Sequence, residues 1–285
     1  MSNSRYPVYD GNISELNNIQ NSFVSMSKTC LEINTKTVSE GILMSRFFLP
    51  ILIFIYILIV NIGITKWAEE NSILDIALEL MAVFSFTTLM RVFIVQINKN
   101  SNVVFNRHTK KCYAYYAGKK HISNIDDVVI SGGAKTIISL NYTNKHGVDI
   151  MNSIEIDDQW NVKPISYYIK KFLYDGPSDL PIPISQKWEG VEINNVAFSP
   201  IKSLRHYAPW PFCGKTVDPL EKMLKIYMWP IYTFIIFPIN MIFSLLWYPF
   251  TKIFNIKPHP VPEEAYEGDD SIRVTPEMAA KGIRP

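Results

Sequence analysis

The sequence predicts an α+β membrane protein: a transmembrane helical hairpin, a cytoplasmic antiparallel β domain with a closing C-terminal helix, then a proline-broken apolar helical segment. Three observations lead there. The apolar residues of the 285-residue chain crowd into residues 47–97 and 226–256. The stretch between these blocks alternates β-branched or aromatic residues with polar ones. It ends in one amphipathic run with a helix stop.

Residues 1–45, rich in Ser and Asn, lack the basic start and apolar core of a cleaved signal peptide, and are expected to be a flexible N-terminal segment. Residues 46–97 form the hairpin. Between Arg46 and Lys66 lie 19 uncharged residues, FFLPILIFIYILIVNIGIT. As a helix they rise about 28 Å, close to the hydrocarbon thickness, with Pro50 expected in the first turn. The second segment, from about Ile73 to Ile97, carries Asp75, Glu79 and Arg91 toward its ends, which leaves residues 80–90 fully apolar in surroundings. The link KWAEENS is acidic on balance, whereas Lys99, Arg107, Lys110, Lys111, Lys119 and Lys120 follow the hairpin. The positive-inside rule then puts the N-terminus and the β domain in the cytoplasm, in a bacterial inner (cytoplasmic) membrane protein.

Residues 98–176 read as about five antiparallel strands (NVVFN, KCYAYYA, DDVVIS, TIISLNY and VDIMNSIEI) separated by polar turns such as RHTKK and SGGAK. The run DDQWNVKPISYYIKKFLYDG has an acidic start, an apolar stripe of Trp160, Ile165, Tyr168, Ile169 and Phe172 or Leu173, and Gly176 as its stop. Sheet followed by closing helix resembles the pleckstrin-homology-like (PH-like) architecture, by element order alone. Residues 177–221 form a Pro-rich connector, expected to be extended or irregular and anchored by Trp188 and Trp210. Residues 222–256 contain the third apolar segment, and 257–285 are a C-terminal tail with the acidic run Glu263 to Asp270.

The third segment is uncharged over residues 226–251. It is long enough to span with tilt, yet Pro238 divides it into halves too short to cross. Lys222 and Lys225 precede it, and Lys252 and Lys257 follow it. The reading leaves a kinked span open and favours a re-entrant hairpin turning near FPIN, which keeps both basic flanks on one side. Trp229, Trp247 and Tyr248 are the expected interface anchors, and Glu79, Arg91 and Asn240 the intramembrane polar residues.

A formal net charge of +2 offers no strong field for nucleic acid. Cys30, Cys112 and Cys213 show no paired or metal-ligand spacing, so no disulfide framework, metal site or cofactor is expected. CGKT (213–216) lacks the upstream glycine and preceding strand of a phosphate loop. Asp126 with Asp127, and Asp157 with Asp158, are adjacent in sequence and suit a turn and a helix start rather than an acid–base pair. His108, His121, His146, His206 and His259 have no metal spacing and are expected at the surface. No nucleophile motif occurs, so no catalytic residue is assigned and the chain is expected to be non-enzymatic. Lys110, Lys111, Lys119 and Lys120 are candidates for anionic lipid headgroups, or for solvated turns.

Four stretches carry a family resemblance. FNRHTKKCYAYY follows the hairpin, WNVKPISYYIKKFLYDGP ends the sheet, a Pro-punctuated apolar segment comes next, and IKPHPVPEEAYEGD closes it. This layout resembles a family of uncharacterised bacterial inner-membrane proteins, a domain of unknown function, often encoded beside type VI secretion system toxins. The resemblance implies an immunity or accessory protein that meets a co-encoded protein toxin or secretion component as well as membrane lipids. Two other expectations stand beside it: a membrane-tethered module that binds lipid or peptide, and a small oligomeric channel subunit using Glu79, Arg91 and Asn240.

Overall fold

A computed structural model describes residues 19, 22–66, 73–132, 136–143, 147, 149–156, 162–183, 199–212 and 219–285. The chain divides into two compact units. A sheet unit comprises Met1–Ser39, Ile97–Asn194 and Pro258–Pro285, and a helix unit comprises Glu40–Gln96 and Asn195–Lys257.

The sheet unit is built on β1 (Phe23–Met26), β2 (Cys30–Ile33), β3 (Val103–Asn106), β4 (Lys111–Tyr116) and β5 (Lys119–Asn124), an antiparallel sheet in sequence order. A second antiparallel sheet holds β6 (Val129–Gly132), β7 (Thr136–Thr143) and β8 (Asp149–Glu155). The five strand runs read from the sequence correspond to β3, β4, β6, β7 and β8. The sixth strand of that stretch, β5, is KKHISN, whose lysines and single isoleucine hide its period-2 pattern.

Residues 23–33, assigned by sequence to the flexible N-terminal segment, hold two strands, β1 and β2, and the turn between them. Leu31 pairs with Phe105, and Phe105 with Cys112, so β2 lies against the centre of the sheet across a long sequence gap. The inward residues Phe23, Leu31, Ile33, Val103, Phe105, Cys112 and Ala114 share one core with Ile138, Leu140 and Ile154 of the second sheet. Helix α3 (Val162–Asp175) covers that core with Ile165, Tyr168, Ile169 and Phe172, the stripe its three- and four-residue spacing predicts. Trp160 lies outside the described residues. Gly176 ends α3 at φ +93°, a backbone state that glycine adopts without the Cβ penalty.

All four residues of β3 are buried, because its second face is covered too. Val104, Cys30 and Tyr113 pack against Ala265, with Val261 and Tyr266 beside them. These last three belong to the stretch read as a C-terminal tail. Met26 and Val274 exchange both backbone hydrogen bonds, at 3.0 and 2.7 Å. The buried Asn106 side chain donates to the carbonyls of Ala265 and Glu267 and accepts from the amides of His108 and Thr109, which uses all its bonding capacity. Thr275 caps the short helix Pro276–Ala279 by accepting from the Met278 amide.

In the helix unit, α1 (Lys36–Lys66) and α2 (Ile73–Lys99) are the two arms of the hairpin. α1 starts ten residues before Arg46, so Pro50 lies in its interior, where it cannot donate to the Arg46 carbonyl. The two arms meet through aromatics. Phe48 stacks on Phe93 at 5.7 Å and meets Phe86 at 6.4 Å. Arg46 and Arg91 each stand two residues along the chain from that stacked pair.

Among the described residues this unit also holds α4 (Pro200–Tyr207), α5 (Pro219–Tyr227) and α6 (Trp229–Ile253). α4 falls in the connector expected to be irregular; Ser199 caps it by accepting from the Lys202 amide, and Pro200 opens it. α6 corrects the hairpin expected near FPIN, for the chain makes no turn there. A π-helical turn over Tyr232–Ile236 lets the Phe237 amide reach the Tyr232 carbonyl, which shifts the ladder by one residue just before Pro238. The proline is absorbed and the helix continues.

Candidate functional site

An open cleft of about 590 Å³ lies on the sheet unit, within the usual range for ligand sites. Lys28, Arg107 and Arg284 line it together with Asp179 and Pro285. Its wall is the turn at residues 177–182, held from below. The Tyr168 hydroxyl donates to the Pro181 carbonyl at 2.9 Å, the Leu180 amide bonds the Pro177 carbonyl, and Leu180 and Ile182 are buried. Arg107 leaves the β3–β4 turn, fixed by its amide to the Thr29 carbonyl, and its guanidinium lies over Gly176. Three cationic side chains against one acidic side chain suit an acidic, extended ligand. Sequence reasoning counted Arg107 only toward membrane orientation and missed Lys28 and Arg284. Residues 256 positions apart leave no local signal of their meeting.

The four candidate lysines do not form one patch. Lys110 and Lys111 sit at the β3–β4 turn, while Lys119 and Lys120 begin β5 at the other end of the β4–β5 hairpin. Lys111 opens the six-residue β4 and Lys119 pairs with Tyr116 at its other end, roughly 17 Å away. Lys120 also reaches Glu264 at 2.6 Å, a hydrogen bond that raises the lysine's pKa and lowers the carboxyl's, between two exposed groups. Asp126 and Asp127 are exposed in a single 3₁₀ turn. CGKT and Cys213, Asp157 and Asp158, His146 and Trp188 lie outside the described residues.

Asn240 donates to the Ile236 carbonyl at 2.8 Å, a bond within its own helix. Arg91 is exposed on α2, and the Glu79 side chain lies outside the described residues. Trp229 is exposed, as an interface anchor requires, and Tyr248 is half-buried with the Lys252 ammonium 5.7 Å from its ring. Trp247 is a correction: it is fully buried and packs on Phe250 at 5.8 Å, so it is a packing residue rather than an anchor.

The histidine expectation is also corrected at one position. His108 is exposed over Gly268 and His259 stacks on Tyr115, but His121 is fully buried, opposite Ala114 in the sheet. Burial, aided by nearby Lys119, lowers its pKa below the ordinary 6.5, against a hydrogen bond with the Tyr116 backbone. Below pH 6.5 the unfolded chain therefore binds a proton that the folded chain resists, so this stability is present above that pH and lost as pH falls. Thermal melts of the full chain are expected to give a lower Tm at pH 5.5 than at pH 7.5, with the difference reduced in His121→Leu. Asp269, which burial opposes but the Thr29 and Ser271 hydroxyls hold below its ordinary 3.8, acts in a more acidic window.

Among the described residues no cluster of three metal-binding side chains occurs. Cys30 and Cys112 are buried thiols; burial pushes Cys30 up to about 11 and Cys112 higher, which suits packing rather than nucleophilic chemistry. The class that fold and site define is a membrane protein of mixed α+β structure, with three helices long and apolar enough to cross a bilayer. No family model matches the chain, and no curated protein or solved structure matches it.

Proposed function

We propose that this chain is a non-enzymatic, membrane-anchored binding protein that serves as an immunity or accessory protein of a type VI secretion toxin system. The observation that carries the binding role is the basic cleft on the sheet unit, with its docked wall and its excess of cationic side chains. The ligand it suits is an acidic segment of a co-encoded toxin or secretion component. What supports the secretion context is the layout resemblance of the four sequence stretches. In this reading the sheets and α3 act as a PH-like recognition module, on the order of their elements. The positive-inside balance supports placing that module in the cytoplasm, beneath a bacterial inner membrane.

The test is co-expression of the tagged full chain with each neighbouring gene product in a toxin-sensitive cell. One neighbour is expected to be neutralised and to co-purify in mild detergent. Arg107→Glu combined with Arg284→Glu is expected to reduce recovery of that partner at least about tenfold. If no neighbour is neutralised or retained, the immunity reading fails; retention unchanged in the double variant removes the cleft from it.

A further inference from the structure

We infer that α6 does not cross the membrane, but lies in the plane of one leaflet, on the side where the sheet unit resides, with its apolar face among the acyl chains. Three independent observations carry this inference, and none depends on the identity of a partner.

The first is parity. Leu180 and Ile182 are in the core of the sheet unit, and so are Val274 and Ala279 beyond α6. One compact body lies on one side of a bilayer, so the chain between residues 183 and 258 crosses an even number of times. α6 is the single stretch there with the necessary length, because no uncharged run in residues 184–221 exceeds nine residues. One crossing by α6 would strand the C-terminal strand partner of Met26 on the wrong side.

The second is depth. Phe47, the first residue of the 19-residue uncharged run of α1, meets Phe243 edge-on at 6.1 Å. Phe47 stands roughly 14 Å from the middle of that run, whereas Phe243 is about 3 Å from the middle of α6. Two spanning helices side by side would place these residues at different depths. The contact puts the middle of α6 at the headgroup end of α1, level with Arg46.

The third is charge. α4 packs against the Phe237–Ile253 part of α6, turning Ser203 and Tyr207 inward and leaving Lys202 and Arg205 exposed. If α6 crossed, α4 would carry both cations into the hydrocarbon beside it. Sinking only the N-terminal half would do the same to Lys222, which is exposed on α5. Nor can α6 dip and return, since its 25 residues form an unbroken rod of about 37 Å.

The faces of α6 agree with a horizontal placement. Tyr232, Ser244, Trp247 and Thr251 are buried on one side. Phe234, Ile235, Ile239, Ile242 and Leu245 are exposed on the other, an uninterrupted apolar stripe for lipid. Trp229, exposed at one end, sits at the level such a helix occupies.

The full chain in phosphatidylcholine–phosphatidylglycerol vesicles tests this, with Cys213→Ser as background. A membrane-impermeant maleimide is expected to label Lys222→Cys and Lys257→Cys from the same face. Spin labels at Ile231→Cys, Ile242→Cys and Ile253→Cys are expected at one shallow depth, about 5–10 Å below the headgroups. Phe234→Cys and Leu245→Cys, on the same exposed face, replace any variant that does not fold. Labelling of the two lysine positions from opposite faces overturns the inference, and so does a depth at residue 242 greater than at both ends by about 10 Å or more.

Discussion

Val274→Asp is expected to destabilise the sheet unit by about 4 kcal/mol or more, a loss of order 10 °C in Tm. Val274 is fully buried and its backbone pairs with Met26, the last residue of β1. A carboxylate there must either ionise without water or take up a proton, and it also forfeits the apolar contacts of the valine. Val274→Ala, which leaves a cavity but no charge, is expected to cost less. Circular dichroism melts of the full chain in detergent, followed at a β-sheet wavelength, measure both. Were residues 257–285 a detached tail, neither substitution would move the transition.

Gly176→Val is expected to cost about 2 kcal/mol through backbone strain and steric displacement together. At φ +93° the position lies outside the states that L residues adopt easily. A Cβ added there would overlap Nη1 of Arg107. Either the helix stop shifts or the guanidinium swings out of the cleft, so the change is expected to weaken partner recovery as well as stability. Gly176→Ala measured alone and with Arg107→Ala separates the two contributions. The double variant removes the clash and keeps the strain, so it is expected to recover part of the loss seen in Gly176→Ala. Full additivity in this cycle would show that Arg107 does not rest on Gly176.

Much of the architecture is legible from local pattern. The apolar runs of α1, α2 and α6 have no polar alternation over the length of a bilayer, and no other segment of the chain does. The stripe on α3 and its stop at Gly176 are local as well, since periodicity and a positive φ are properties of a few consecutive residues. The cleft is not legible in this way. Lys28 lies in the β1–β2 turn, Arg107 in the β3–β4 turn and Arg284 near the end of the chain, and only the closed sheet brings them together. The buried histidine escapes notice for a related reason: KKHISN carries three polar residues before its first aliphatic one, and burial of His121 follows from what covers β5, not from β5 itself.

The sequence by itself determined that the chain carries membrane-length apolar helices, a hairpin, and an antiparallel domain closed by α3, because hydrophobic period and charge distribution are written locally. Only the tertiary structure decided that residues 23–33 hold two strands and that the C-terminal residues cover the second face of the same sheet. Four-residue strands have too little pattern to declare themselves, and their stability comes from partners far away in sequence: Leu31 against Phe105, Val274 against Met26. For α6 the composition permits a crossing; the inference that it lies flat rests instead on tertiary facts, the return of the chain to the sheet unit and the meeting of Phe243 with Phe47.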